Sequence, residues 1–488
     1  MLFNSIDFLL FFPIVTILYF LLPHRVRWVW LLCASYYFYM CWNAKYALLI
    51  ALSTVITYFS GLLIEGLARQ KKLWVALSFL SNLAILFFFK YFDFFLNNLS
   101  ALCGRLGVTF KQSAFDIVLP VGISFYTFQA LSYTMDVYRG EVEAERNLFK
   151  YALFVSFFPQ LVAGPIERSK NLLHQVNERH TFDADRVRDG LLLMLWGMVE
   201  KIVIADRVSY LVTYVYDNYA ALPGAAMVLA TVLFAVQIYC DFAGYSDIAI
   251  GAAQIMGFSL MENFRQPYLA TSVQDFWRRW HISLSTWFRD YLYIPLGGNR
   301  KGTVRKYFNL MVTFLTSGLW HGASWNFVVW GGLNGLYQVT GGILAPARER
   351  ACNALHIDRD TLFWRCVRVV FTFCLVDFAW LFFRAPSFRT ALDMIGHTVR
   401  NFDFSAVTGP ALYELGLSQP DFTVMLIAIG VMVLSDLLRE RFGSMRDRLT
   451  ALPLPVRWIV YLLGTILVLV FGIYGPGYAE SQFFYFVF

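Results

Sequence analysis

Apolar runs close to twenty residues long follow one another along this chain, separated by short basic loops. The first is "IDFLLFFPIVTILYFLL", residues 6–22. A helix of about 20 apolar residues crosses the ~30 Å hydrocarbon core of a bilayer. Only 15% of the 488 residues are charged, against 58% hydrophobic. A soluble domain carries about 25% charge and cannot hide so many apolar runs. Each run is near the length a helix needs to cross that core. The sequence thus predicts an all-α polytopic integral membrane protein of about eleven spans. No internal repeat divides it, and residues 1–488 read as one membrane domain.

Basic loops orient the runs, because Lys and Arg stay on the cytoplasmic side. "HRVR" (24–27) follows the first helix, which places the N-terminus outside. That first run has neither a basic stretch ahead of it nor a small-residue cleavage site behind it, so it reads as a helix and not a signal peptide. Runs 28–43 and 46–66 form a hairpin returning to "RQKK" (69–72), and 73–98 leads out. Residues 117–137 and 151–163 are apolar but interrupted, and 164–180 reads as a charged, cytoplasmic amphipathic segment. Spans follow at 190–216 and 225–240. Residues 267–308 are too polar for lipid and too aromatic for water, as in a re-entrant or interfacial structure packed within the protein. Beyond Arg300, Lys301, Arg305 and Lys306, the run 307–340 leads outward, with further spans near 362–383, 422–438 and 456–474. Arg439, Arg441, Arg446, Arg448 and Arg457 precede the last of these, which delivers an aromatic tail, 475–488, outside. Cytoplasmic loops account for the net charge of +7 without a nucleic-acid partner. Membrane lipid is the surrounding medium.

The seven cysteines form no CxxC pair and mostly lie in apolar runs, the pattern of small buried side chains without disulfides or metal. Cys240 has no activating base near it in sequence. Glu200 and Lys201 share one span and read as a structural ion pair or a helix end. A transporter would call for charges inside several spans and a repeat of broken helices, and no such repeat is present.

Two histidines carry the chemical signal. His321, in "TSGLWHGASWNFVVWGGLNGLY", lies fifteen residues beyond Lys306, about 22 Å along a helix. Ionisable residues inside a membrane mark function more often than structure. Trp320, Trp325 and Trp330 read as an aromatic wall around it, and Gly318, Gly322, Gly331, Gly332 and Gly335 permit close backbone approach. His281 lies in "FWRRWHISLSTWFRD"; on one continuous helix, positions 277, 280, 281, 284 and 288 share a face and turn it inward. Arg278, Arg279 and Arg289 then remain for phosphate or the membrane surface.

"FWRRWHISLSTWFRDYLYIPLGGNRKG" followed by "GLWHGASWNFVVWGGLNGLY" closely resembles the membrane-bound O-acyltransferase (MBOAT) superfamily. More narrowly, it resembles the bacterial branch of alginate and peptidoglycan O-acetyltransferase membrane subunits. "FKYFDFF", "LPVGISFYTFQALSYTMDVYRG", "FVSFFPQLVAGPIER" and "YCDFAGYSDIAIG" extend the likeness in order over essentially the whole chain. The resemblance implies a bundle of spanning helices plus re-entrant or interfacial helices in the bacterial inner membrane. It implies His321 as the catalytic histidine and His281 at the partner polar position. "FFYFVF" (483–488) resembles the aromatic tail in which a tyrosine carries the acyl group, which maps onto Tyr485. Trp280, Trp320, Ser324 and Asn326, with the three arginines, are the substrate-binding candidates. The donor would be a cytoplasmic thioester, acetyl-CoA or an acyl carrier protein, with no bound cofactor. The partners implied are an extracytoplasmic SGNH-type acetyltransferase and a polysaccharide acceptor. D-alanyl transfer to teichoic acid is the alternative within the superfamily.

Overall fold

The computed structural model describes residues 1–107, 119–161 and 164–474. Among them the regular structure is helical throughout, with no β-strand. Among the described residues, six helices are long and apolar enough to cross a membrane: Ala44–Gly66, Lys71–Arg105, Gly224–Met256, Leu362–Arg384, Gln419–Phe442 and Leu454–Phe471. Ile6–Leu21 is a shorter apolar helix. The large apolar side chains these helices leave exposed, such as Leu463 at 60% and Val470 at 64%, suit hydrocarbon and not water.

The chain forms two compact units, Met1–Leu193 with Ile248–Met261, and Met194–Asp247 with Glu262–Phe488. The first is knit by small and hydroxyl side chains, the usual adhesive between helices in lipid. Ser78 meets Thr134 at 3.0 Å, Tyr151 donates to Thr57 at 2.8 Å, and Ser53 donates to Asn82 at 2.6 Å. Segment 164–180 does not lie as an amphipathic helix on a surface. Only Ser169–Gln175 is helical, and Glu167 is buried, accepting hydrogen bonds from the backbone of Met261 and from Asn171. A carboxylate with two donors can be buried where a bare one cannot.

The second unit departs from the sequence expectation in three places. The span read at 225–240 is part of the 33-residue helix Gly224–Met256, so that "YCDFAGYSDIAIG" is helical and its Cys240 fully buried. Lys201 does not pair with Glu200. It donates to Asp206 and approaches Asp241, both at 2.7 Å, from a π-helical segment, Val199–Ala205, while Glu200 accepts from Trp196 at 2.9 Å. The wider π turn frees carbonyls that a regular helix would use: Ile202 accepts from Ile473 N–H and Val203 from Arg207.

Third, run 307–340 is two helices, Thr303–His321 and Trp325–Ala354, folded back on each other. Gly318 lies against Phe327, Phe314 against Gly331, and Tyr307 against Gly342, the register of an antiparallel hairpin. Its open end carries both Arg305 and Lys306 and Arg348 and Arg350. At that end Glu440 accepts from Arg365 at 3.1 Å. At the other end Asn326 donates to the Ala385 carbonyl at 2.9 Å, and Arg207 joins Asp421 at 3.4 Å to the Phe471 carbonyl at 2.8 Å.

Candidate active site

Helix Thr303–His321 ends on His321, and the chain reverses through Gly322, Ala323 and Ser324. The ring of Phe327 occupies the space a side chain at Gly322 would need, 2.2 Å from an added Cβ. A Cβ on Gly318 would stand 2.3 Å from the Phe327 carbonyl oxygen, and one on Gly331 the same distance from that of Phe314. Four of the five glycines read as close approaches are so used. Gly332 is not, since its added Cβ meets only Leu315 at an ordinary 3.6 Å.

His321 is buried at this reversal. Its ring meets Trp320 at 4.9 Å and 82°, Trp330 at 4.9 Å and 88°, and Phe383 at 5.3 Å and 73°. Trp330 stacks in turn on Trp380. Trp325 is 54% exposed, so the wall is not the three tryptophans expected. It is two of them, completed by Phe383 from Leu362–Arg384. The reason is the break: Trp325 opens a new helix, and its direction no longer follows the phase of Trp320.

His281 is also buried, but not within a helix. Val273–Arg279 ends, Trp280 is extended, and His281 takes φ 42°, ψ 56° before Ile282–Phe288 begins. A non-glycine residue in the left-handed region costs on the order of 1–3 kcal/mol and clusters at functional sites. The continuous helical face expected through 277–288 is therefore absent, although Trp277, Trp280, His281, Leu284 and Phe288 are all buried. Backbone bonds brace the turn from one neighbouring segment: Ile282 N–H donates to Asn263 O and Arg265 N–H to Arg279 O, both at 2.9 Å. The His281 ring packs on Phe242 at 4.5 Å, and its Nδ1 lies 3.3 Å from Asn263 Oδ1. Trp320, 6.1 Å from the His281 ring, thus contacts both imidazoles.

The remaining candidates separate. Trp280 is buried between Phe276, Phe264 and Trp380, part of the same aromatic chamber. Arg279 is held by Asp275 at 3.1 Å and by Glu440 at 2.8 and 3.2 Å, a brace between elements. Arg289 pairs with Asp290 at 2.7 Å, and Arg278 is exposed. Ser324 stands half-buried at the N-cap position of helix Trp325–Ala354 without a side-chain capping bond. Asn326 donates to the Phe382 and Ala385 carbonyls at 3.3 and 2.9 Å, which fixes Phe383 against His321. Tyr485 and the tail 475–488 lie outside the described residues. Among the described residues, no three His, Cys, Asp or Glu gather in a metal-binding group.

Sequence reasoning missed Asn263, Phe242, Trp380 and Phe383. Trp380 and Phe383 sit in an ordinary apolar run that carries no signal, and Phe242, though within "YCDFAGYSDIAIG", is one aromatic among several there. Asn263, in "MENFRQPYLA", is one polar residue among several.

The described residues are those of a multi-pass helical membrane protein in which two buried histidines share one tryptophan. The family model described as MBOAT, membrane-bound O-acyltransferase family, matches residues 143–374. The chain is 42% identical over 400 residues to the "Probable alginate O-acetylase AlgI" of Pseudomonas putida, covering 81% of this chain and 80% of that protein. It is 34% identical over 430 residues to the "Peptidoglycan O-acetyltransferase" of Helicobacter pylori, covering 81% and 79%. It is 30% identical over 227 residues to the "Teichoic acid D-alanyltransferase" of Bacillus subtilis, covering 43% and 56%. This chain belongs to the membrane-bound O-acyltransferase family and is an O-acyltransferase enzyme.

Proposed function

We propose that this enzyme passes an acetyl group from a cytoplasmic thioester, acetyl-CoA or an acyl carrier protein, across the bacterial inner membrane for O-acetylation of a polysaccharide. The single observation behind this reading is the pair of buried imidazoles on either side of Trp320, inside a hairpin whose charged end is basic. Arg305, Lys306, Arg348 and Arg350 at that end, with Arg365, Arg439 and Arg441, favour the cytoplasm. His321 and the end of helix Leu454–Phe471 then face outward, as does the N-terminus ahead of "HRVR".

In this reading the Tyr485 hydroxyl attacks the thioester carbonyl and His321 accepts its proton as general base. The C–O bond forms, the C–S bond breaks, and the thiolate leaves to be reprotonated from the imidazolium. His281 orients the donor thioester, its acceptor nitrogen open to an amide N–H of the donor's pantetheine arm. A phenol ionises near pH 10, so the aryl ester retains the transfer potential to acylate a hydroxyl on an extracytoplasmic SGNH-type partner. Tyr485 lies eleven positions beyond Tyr474, a reach of up to about 40 Å when extended. Alginate and peptidoglycan, named for the relatives covering four-fifths of the chain, are the leading acceptors. The D-alanyl reading rests on a relative matching 43% of it.

Proteoliposomes of the purified enzyme, with radiolabelled acetyl-CoA on the cytoplasmic face and a soluble SGNH-type acceptor on the opposite face, test this. Label should reach the acceptor with wild type and not with Tyr485→Phe; equal transfer by both removes the tyrosine relay. Intact solute crossing without acetyl transfer would return the chain to transport.

A further inference from the structure

The proton on His281 has a definite place in this architecture. Asn263, Ser246, Ser283 and His281 are all at least 99% buried, so bulk water does not compete for their hydrogen bonds. Ser283 Oγ lies 2.6 Å from Asn263 Oδ1, and Asn263 Nδ2 lies 2.9 Å from Ser246 Oγ. The shorter distance falls within the O–H···O range of about 2.5–3.0 Å and below that usual for N–H···O, so the amide oxygen faces Ser283. That same oxygen lies 3.3 Å from His281 Nδ1. A carbonyl oxygen has two lone pairs and no proton to give. One receives the serine hydroxyl; the other favours a hydrogen on Nδ1.

We propose that Asn263 is a positioning residue for acyl transfer, holding the His281 proton on Nδ1 and leaving Nε2 as the basic nitrogen. Neutral imidazole carries one N–H, so fixing it on one nitrogen fixes the lone pair on the other. The backbone supports the assignment. Ile282 N–H donates to the carbonyl of Asn263 itself, and the left-handed turn at His281 commits the ring's direction before the side chain rotates. Ser246, on helix Gly224–Met256, holds the nitrogen end of the amide and so opposes its flipping. The catalytic consequence rests on the reading above that His281 assists the reaction; the tautomer does not.

The test is 15N NMR of the full-length enzyme, histidine-labelled in nanodiscs, with the His281 signals identified by their loss in His281→Gln. Wild type should show Nδ1 protonated. Asn263→Leu should shift His281 toward the Nε2–H tautomer and lower kcat up to about 100-fold by misaligning the donor, with the donor KM within about twofold. Asn263→Asp keeps an acceptor on Nδ1 and should retain the wild-type tautomer. If Asn263→Leu does not fold, Ser246→Ala, which frees the amide to flip, should give a mixture of tautomers. Nε2–H in wild type, or an unchanged tautomer in both Asn263→Leu and Ser246→Ala, overturns the proposal. Full activity of His281→Ala together with the expected NMR result would instead sink the catalytic reading of His281 and leave the positioning intact.

Discussion

His321 and Trp330 meet edge to face, 4.9 Å between ring centroids at 88°, although they belong to opposite arms of one helical hairpin. The contact exists because the chain reverses at Gly322–Ser324 and brings the second turn of one arm beside the last residue of the other. The two would not be adjacent on a single continuous helix, where nine positions set them about 14 Å apart.

From that position His321 should be needed for turnover and not for assembly. His321→Ala is expected to lower the acyl-transfer rate about 10²- to 10⁴-fold, the usual contribution of general base catalysis. Size-exclusion behaviour and thermal unfolding in detergent should stay near wild type. Wild-type transfer by the alanine variant would end its assignment as base.

The two tryptophans after the reversal should behave differently. Trp330 is 1% exposed and packs on His321, Trp277, Trp380 and Phe383; Trp325 is 54% exposed. Trp330→Ala should cost about 3–5 kcal/mol of stability and most of the activity. Trp325→Ala should lower the melting temperature little, and the comparison of two melting curves decides it.

Glycine substitutions test the hairpin register. Gly318→Ala and Gly331→Ala each drive a methyl against a backbone carbonyl at 2.3 Å, which no rotamer can relieve. Each should destabilise by about 1–3 kcal/mol. Gly332→Ala, with only the Leu315 side chain 3.6 Å away, should be tolerated. Equal tolerance of all three would mean that the arms pack in another register.

Lys201 holds two buried aspartates. Removing it as Lys201→Met leaves Asp206 and Asp241 without their shared cation, expected to cost about 3–5 kcal/mol. Arg265→Ala breaks an exposed pair with Glu262 and should cost no more than about 1 kcal/mol. Chemical denaturation of both variants in mild detergent reads the difference.

Much of this protein was legible without coordinates. Apolar runs such as 362–383 and 422–438 became helices Leu362–Arg384 and Gln419–Phe442 because lipid leaves a lone segment little but helix. His321 stood out because an imidazole in such a run is costly without a reason. His281 was found for its burial but on the wrong geometry, since one left-handed residue carries no mark in a periodicity argument.

What composition and run length determined was local: a helical membrane chain, its basic ends, and two histidines out of keeping with their surroundings. Those depend on each residue's own transfer free energy, which neighbours far along the chain hardly alter. Tertiary packing settled who meets whom: Phe383 beside His321, Trp380 behind Trp330, Asn263 beside His281, and Asp206 and Asp241 around Lys201. Those pairings come from helix packing and from two short breaks in the chain, at His281 and at Gly322. Packing is a property of surfaces brought together from distant positions, and no stretch of sequence read alone contains it.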